Sequence, residues 1–433
     1  MGIKSRKLFL FFGDLFLLYL SLFLTLFFRH FGNFNFEIFL KHIFPFTITY
    51  FFWLIIFYIF GLYDFDYLKT PFYLKLISTI SLNFILGVLF FYFIPFLKIT
   101  PKTILLLNVL IFGFLFFLWR KISLFLFSIY LLNKVAVFGE GDEIEKLKKE
   151  IKEKPYLGYK LVEIEPRENI LEKIKKENVN TVIFTEEFEE NPKFLSLLYD
   201  AILLGVDFLD FATAHELITE KIPVSMISKI WFLENLKEGE KKIYDKFKIV
   251  FDKILAFLIL ILTSPLWLLI AMAIKIEDRG PIFYQQERIG KNKKIFKLIK
   301  FRSMIPEAEK EEPKWAERED ERITKVGRFL RRFHLDEIPQ MINVLKGDIS
   351  LVGPRPERPE FVEKLEKEIP HYHLRHIIKP GFTGWAQIKF RYARSIMDSF
   401  EKFQYDLYYI KNRSLFLDLR ILLKTFQLFF IKE

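Results

Sequence analysis

The 433-residue chain contains no cysteine, which removes disulfide bridges, zinc–thiolate centres and cysteine nucleophiles together. The full glycine fingerprint of a dinucleotide site is also missing. Gly139-Glu140-Gly141 follows a strand-like run, but no third glycine and no acidic ribose partner accompany it. That gap argues against a sugar-nucleotide oxidoreductase or dehydratase. No small-residue cleavage site follows the first apolar run, and further runs come after it, so a cleaved signal peptide is not expected. The net charge is +11 without a recognisable nucleic-acid-binding module, so nucleic acid is not an expected partner. The basic balance then points to anionic lipid or phosphorylated substrates.

What is abundant is apolar: 52% hydrophobic residues and 54 Phe, beside 27% charged residues. The two kinds are segregated, with apolar residues dense before residue 133 and again at 249–274. Four runs, near 8–28, 43–60, 76–97 and 103–119, each approach the roughly 20 residues a helix needs to cross a bilayer. Lys4, Arg6 and Lys7 precede the first, and Arg120, Lys121 and Lys134 follow the fourth, which favours both ends of this segment in the cytoplasm. Asp14 falls inside the first run, where a carboxylate is costly and faces other protein.

The fifth run, 249–274, carries Ser264-Pro265 near its middle. Proline removes a helix hydrogen bond and forces a kink or break, leaving halves of roughly 20 Å, too short to span alone. Lys241, Lys242, Lys246 and Lys248 lie before it, and Lys275, Arg279 and Lys291 after. Two positive flanks favour ends on one face, hence a hairpin that dips into the membrane and returns.

Between the apolar parts, KVAVFG (134–139), NTVIFT (180–185) and VDFLDF (206–211) alternate with helical patterns, the signature of a parallel α/β sheet. Beyond the fifth run, residues 279–304 read as a β-hairpin turning at Gly290 to Lys293, with Lys300 and Arg302 on one face. The mixed-charge run 307–322 reads as an exposed helix or lid. In FHLDEIPQ (333–340) two carboxylates, Asp336 and Glu337, precede an apolar stripe of Ile338, Ile342 and Leu345. Asp336 stands where a helix N-cap would sit. Gly353-Pro354-Arg355-Pro356 follows, and each proline stiffens the residue before it. An Arg held that way suits bidentate binding of phosphate. Phosphate binders around an ionised carboxylate suggest attack at phosphorus.

These pieces resemble, in order, the bacterial polyprenyl-phosphate sugar-phosphate transferases, the monotopic phosphoglycosyl transferase superfamily in its long form. The matching segments are the Ser264-Pro265 membrane break, QQERIG, KFRSM, DERIT, LDEIPQ, NVLKGDISLVGPRP, KPGFTGWAQ and YDLYYIKNRSLFLDL, within residues 246–425. One departure is His334, where the family usually carries a small hydroxyl residue. The resemblance implies a membrane protein of mixed class. Its parts would be a four-helix transmembrane bundle (1–133), a Rossmann-like α/β module (134–240), and a re-entrant membrane helix hairpin with an α+β cytoplasmic catalytic domain (241–433). It implies transfer of a sugar-1-phosphate from a UDP-sugar to a polyprenyl phosphate at the bacterial inner membrane, with the lipid bilayer itself as a partner. Asp336 would be the nucleophile, and Glu337 a Mg²⁺ ligand or a base. Lys300, Arg302, Arg331 and Arg355 are the expected phosphate binders. A homo-oligomer is compatible with the sequence. His371, His373 and His376 cluster, but the resemblance supplies no metal there. The competing reading is a membrane-anchored nucleotide-binding sensor with a degenerate transferase domain. It predicts loss of the LDE or PRP elements, and both are intact.

Overall fold

A computed structural model describes residues 3–430, except 64–71, 94–101, 130–131, 154–157, 165–168, 190–191, 306–321 and 391–394. The mixed-charge run therefore lies almost wholly outside the described residues. The chain divides into two compact units, Met1–Ala214 and His215–Glu433.

The first unit opens with four long apolar helices, α1 (Ile3–Arg29), α2 (Phe36–Ile59), α3 (Phe72–Phe93) and α4 (Lys102–Ile129). They share one core, in which Leu18, Leu22, Phe46, Trp53, Phe57, Phe112 and Phe116 are buried. The phenylalanines interlock: Phe57 stacks on Phe112 at 5.7 Å between ring centroids, and Phe112 meets Phe116 at 5.3 Å. Outward faces are also apolar, with Phe12, Phe16, Phe44, Phe51, Leu110 and Phe114 exposed. A surface of that kind suits hydrocarbon rather than water.

Several polar groups are buried in the interior. Asp14 and Arg120 form a fully buried ion pair at 2.5 Å between α1 and α4, so the carboxylate has the packing role expected of it. Gly13 lets the helices approach closely there, since a Cβ would collide with the Trp119 ring. Tyr50 donates to Asn108 at 3.1 Å, and Asn108 donates to Ser21 at 3.0 Å, tying α2, α4 and α1 together.

The rest of this unit is a parallel sheet. In chain order its elements are β1 (Asn133–Phe138), α5 (Asp142–Glu153), β2 (Tyr159–Leu161), α6 (Ile170–Glu177), β3 (Thr181–Phe184), α7 (Glu186–Glu189), α8 (Pro192–Ile202) and β4 (Asp207–Asp210). The strand order is β2-β1-β3-β4, and every pairing is parallel. Three strands match the sequence reading. The fourth, β2, is a three-residue edge with only half-buried residues at its ends, too short to show an alternating pattern. Gly139 and Gly141 lie between β1 and α5 with φ of 147° and 121°, a region where glycine carries no steric cost.

In the second unit, α9 (Phe211–Thr219, within which the division falls) and α10 (Lys229–Asn235) lead into α11 (Lys242–Asp278). The expected break at Pro265 does not interrupt α11, which is helical throughout. Pro265 has no N–H to give the Ile261 carbonyl, and the Ser264 hydroxyl donates to that carbonyl instead at 2.8 Å. Thr263 donates to the Ile259 carbonyl at 2.7 Å and accepts from the Trp267 indole at 3.2 Å. Local hydroxyls thus restore what proline removes.

Both halves of α11 bury one stripe against the same domain. Ala256 joins the core with Val344 and Leu351, while Ile270 and Ile274 pack with Phe301 and Leu330. The opposite face exposes Ile254, Phe257, Ile261, Leu262, Leu268 and Leu269.

The remaining elements are the antiparallel hairpin β5 (Phe283–Ile289) and β6 (Ile295–Phe301), then α12 (Lys325–Arg332), α13 (Gln340–Lys346), β7 (Ser350–Val352), α14 (Pro359–Glu368), β8 (Gly381–Thr383), α15 (Trp385–Lys389), α16 (Ile396–Asn412) and α17 (Leu415–Phe430). β7 pairs in parallel with β8. The apolar stripe of α17 buries Leu417 and Ile421 in the core, and Leu415, Phe416, Leu419 and Phe426 stay exposed.

The Asp14–Arg120 pair supplies a test. Asp14→Ala leaves a guanidinium buried without its carboxylate, which costs about 3–5 kcal/mol. The double variant Asp14→Leu/Arg120→Met should recover most of that loss. Thermal unfolding of the detergent-solubilised protein measures it, and a double variant no more stable than the single one would refute the pairing.

Candidate active site

The acidic pair sits in a single 3-10 turn, Leu335–Glu337, between α12 and α13. His334 opens the turn in the left-handed region at φ 52°. Asp336 is not a helix N-cap: α13 begins at Gln340 behind Pro339, with no side-chain cap. The capping role open to Asp336 in the sequence is therefore not the one it has.

Three elements converge on the turn. From β6, Lys300 donates to Glu337 at 2.7 Å. From the loop after β7, Arg355 reaches the same Glu337 oxygen at 3.5 Å. From α12, Arg331 donates to the Ser303 hydroxyl at 2.8 Å and places its charge near Asp336. Arg302 goes elsewhere. It pairs with Asp278 at the end of α11 and packs over Gly280, where a Cβ would collide with it. The strand alternation that put Lys300 and Arg302 on one face breaks down because β6 ends at Phe301.

The two carboxylates differ. Burial alone would push Glu337 up, but Lys300 and then Arg355 outweigh it and hold the group well below the usual carboxylate range. Asp336 is only 7% exposed. Burial and then the Glu337 charge raise it, opposed by Lys300, Arg331 and His334. Among the described residues the Asp336 carboxylate has no hydrogen-bond partner. One carboxylate is clamped, and its neighbour is poised above its ordinary range with its oxygens uncommitted.

The cations are themselves fixed. Asn343 of α13 accepts from the Ile299 N–H at 3.0 Å and donates to the Lys297 carbonyl at 2.8 Å, locking β6 beside the turn. The loop of Arg355 is stitched by Gly353 N–H to the Thr383 carbonyl at 2.9 Å and by Gly381 N–H to the Pro354 carbonyl at 2.8 Å. Gly353, Gly381 and Gly384 lie so close that a Cβ on any of them would meet neighbouring backbone. Buried Arg375 donates to the Arg355 carbonyl at 3.0 Å while pairing with Asp406 at 2.9 Å. Arg288 donates to the Pro356 carbonyl at 3.1 Å. Sequence reasoning assigned no role to Arg288, Asn343, Arg375 or Asp406. Their motifs were visible, but pairing across the fold was not.

Among the described residues no group of three or more His, Cys, Asp or Glu is placed to hold a metal. The hard oxygens of Asp336 and Glu337 nonetheless fit Mg²⁺, which is commonly held by one or two carboxylates with substrate phosphates completing its shell.

A family model, described as bacterial sugar transferase, matches residues 243–432. An Aeromonas hydrophila protein named UDP-N-acetylgalactosamine-undecaprenyl-phosphate N-acetylgalactosaminephosphotransferase is 45% identical over 254 residues, covering 54% of this chain and 60% of that protein. An Escherichia coli (strain K12) protein named UDP-glucose:undecaprenyl-phosphate glucose-1-phosphate transferase is 32% identical over 318 residues, 68% of this chain and 67% of its own length. A Bacillus subtilis (strain 168) protein named uncharacterized sugar transferase EpsL is 40% identical over 190 residues, 43% of this chain and 88% of its own length. The chain thus spans less than two thirds of the Aeromonas protein.

His376 gives a pH prediction. Burial, and then nearby Arg375, pull its imidazole down from 6.5 to about 3. The unfolded chain takes up that proton first, so the His376 contribution is complete above pH 6.5 and is lost as pH falls toward 3. His376→Gln should flatten this part of the stability profile between pH 7 and 4, read from denaturation midpoints. An unchanged pH slope in the variant would contradict the assignment.

Proposed function

The chain belongs to the bacterial sugar transferase family, and on that premise we propose that it transfers a sugar-1-phosphate from a UDP-sugar to a polyprenyl phosphate. The observation that carries the reading is the asymmetry of the acidic pair: Glu337 held by two cations, Asp336 nearly buried and uncommitted. In the first step an Asp336 carboxylate oxygen forms a bond to the sugar-bearing phosphorus, and the bond from that phosphorus to the UMP oxygen breaks. In the second, an oxygen of the lipid phosphate attacks the same phosphorus, and Asp336 leaves as the carboxylate. The product is polyprenyl-diphosphate-sugar, the first membrane intermediate of an exopolysaccharide, capsule or O-antigen.

Arg355, Arg331 and Lys300 bind and orient the diphosphate, neutralising the charge that builds on its oxygens. Arg302, held by Asp278, acts one layer back, fixing the end of α11 to the hairpin. Glu337 would hold Mg²⁺, which when bound neutralises phosphate charge.

The finer architecture belongs to the same reading. The four N-terminal helices cross the inner membrane, and α11, although unbroken, bends at Pro265 so that it enters and returns, keeping the site at the cytoplasmic face. Burial of both halves of α11 against one domain supports this, since a helix crossing outright would carry one half away from that domain.

The test is intact mass after mixing the protein with UDP-sugar and Mg²⁺, without lipid acceptor. The parent chain should gain one sugar-phosphate, and Asp336→Asn should gain none while staying folded. Glu337→Gln should lose most turnover and part of its Mg²⁺ dependence. Normal turnover by Asp336→Asn, or an adduct mapped to another residue, would reject the nucleophile.

A further inference from the structure

A pocket lies in the same unit, lined by none of Asp336, Glu337, Lys300, Arg331 and Arg355. It sits between the first half of α11, the turn of the β5–β6 hairpin and the end of α13, and Lys253, Lys291 and Lys379 reach it from three separate segments. Among the described residues none of the three makes an ion pair or a side-chain hydrogen bond. The neighbouring carboxylates are engaged elsewhere. Asp252 accepts from the Ser350 hydroxyl and the Leu351 N–H, and Asp348 accepts from Asn343. Arg413 and Lys248, which also line the pocket, are each paired with carboxylates.

Lys379 lies over Gly347, where a Cβ would stand 3.3 Å from its ammonium. That glycine closes α13 at φ 86°, so the carbonyl end of the helix accounts for part of one charge. Burial, and then the charges of Lys253 and Lys291, lower the Lys379 ammonium. Lys379 therefore feels both other ammoniums, opposed in part by Asp252 and Asp348, and an anion bound among the three would relieve the repulsion.

We propose that Lys253, Lys291 and Lys379 form a phosphate-binding site separate from the Asp336 centre. Ammonium groups are compact point charges that bind phosphate without a fixed fork geometry, which suits a ligand held by three flexible side chains. The phosphate can come from a membrane lipid or from a soluble ester. The flank of the pocket favours the lipid: Ile249, Val250 and Ile254, beside Lys253 on α11, are 43%, 58% and 57% exposed, ready to meet acyl chains below a headgroup.

The experiment uses the full chain in neutral detergent and native mass spectrometry with three probes: phosphatidylglycerol, glycerol-1-phosphate and diacylglycerol. Phosphatidylglycerol should bind the parent protein about fivefold more tightly than each single Lys→Ala variant, and about 100-fold more tightly than the triple variant. Replacing all three by Arg keeps the charges and should keep binding, which separates a lost site from a misfolded chain. Displacement of the lipid by glycerol-1-phosphate at similar concentration would identify a soluble phosphate as sufficient. Resistance to displacement would identify the lipid headgroup. Equal binding of phosphatidylglycerol by parent and triple-Ala proteins, or diacylglycerol binding as tightly as phosphatidylglycerol, would overturn the site.

Discussion

Two adjacent carboxylates cannot both be buried and ionised unless cations stand against them, and here the cations stand against Glu337. Lys300 and Arg355 share one of its oxygens. At 4 Å two like charges repel by about 4 kcal/mol in a protein-like dielectric, so an unneutralised Glu337 would drive Asp336 to take up a proton. The clamp has a second consequence. It satisfies Glu337 and leaves Asp336, the proposed nucleophile, without hydrogen bonds among the described residues to break first. A nucleophile held by charge-assisted hydrogen bonds would have to lose them before reaching phosphorus. The division of labour within Asp336-Glu337 therefore follows from which of the two faces β6 and the loop of Arg355.

That facing depends on short elements being held in register by side chains far apart in the sequence. The hairpin is pinned by Asn343, a buried amide that meets β6 on two sides. The Arg355 loop is pinned by Arg375 from beneath, itself neutralised by Asp406 of α16. Buried ion pairs of this kind are weak evidence of stability. Their clearer use here is to choose one arrangement, because any shift of the loop would separate Arg375 from Asp406 or from the Arg355 carbonyl.

Much of this was legible in the sequence, for identifiable reasons. The long apolar runs and the β-hairpin carry strong periodic signals, and the structure holds helices and strands at those places. Lys300, Arg355 and Arg331 were expected around the acidic pair and are found there. Arg302 was misplaced because alternation along a strand says nothing once the strand ends, and Asp278 lies just where the chain turns. Asp336 looked like a helix cap because LDEIP has cap-like spacing, yet the chain takes a 3-10 turn there and delays α13. Arg375, Asp406 and Asn343 were opaque for another reason. Their roles exist only through partners brought close by the fold, and local pattern does not encode that.

The polar stripe of α11 extends the same logic toward the membrane helix. Lys248 pairs with Asp418, which also accepts from Tyr244 and Tyr409, and Asp252 accepts from Ser350 and Leu351. The same Tyr409 hydroxyl, sharing its one proton, also faces the Val352 carbonyl at 3.1 Å. Every residue of β7 therefore contacts a network rooted in α11, α16 or α17 immediately before the chain enters Gly353-Pro354-Arg355-Pro356. The prolines then limit what the loop can do after it leaves the strand. Ordering Arg355 in this way places the entropic cost on folding rather than on binding, so in the proposed reaction less is lost when the diphosphate arrives. A loop that carries Arg355, the proposed phosphate binder, at 43% side-chain exposure can be both accessible and fixed only because its backbone is held from behind.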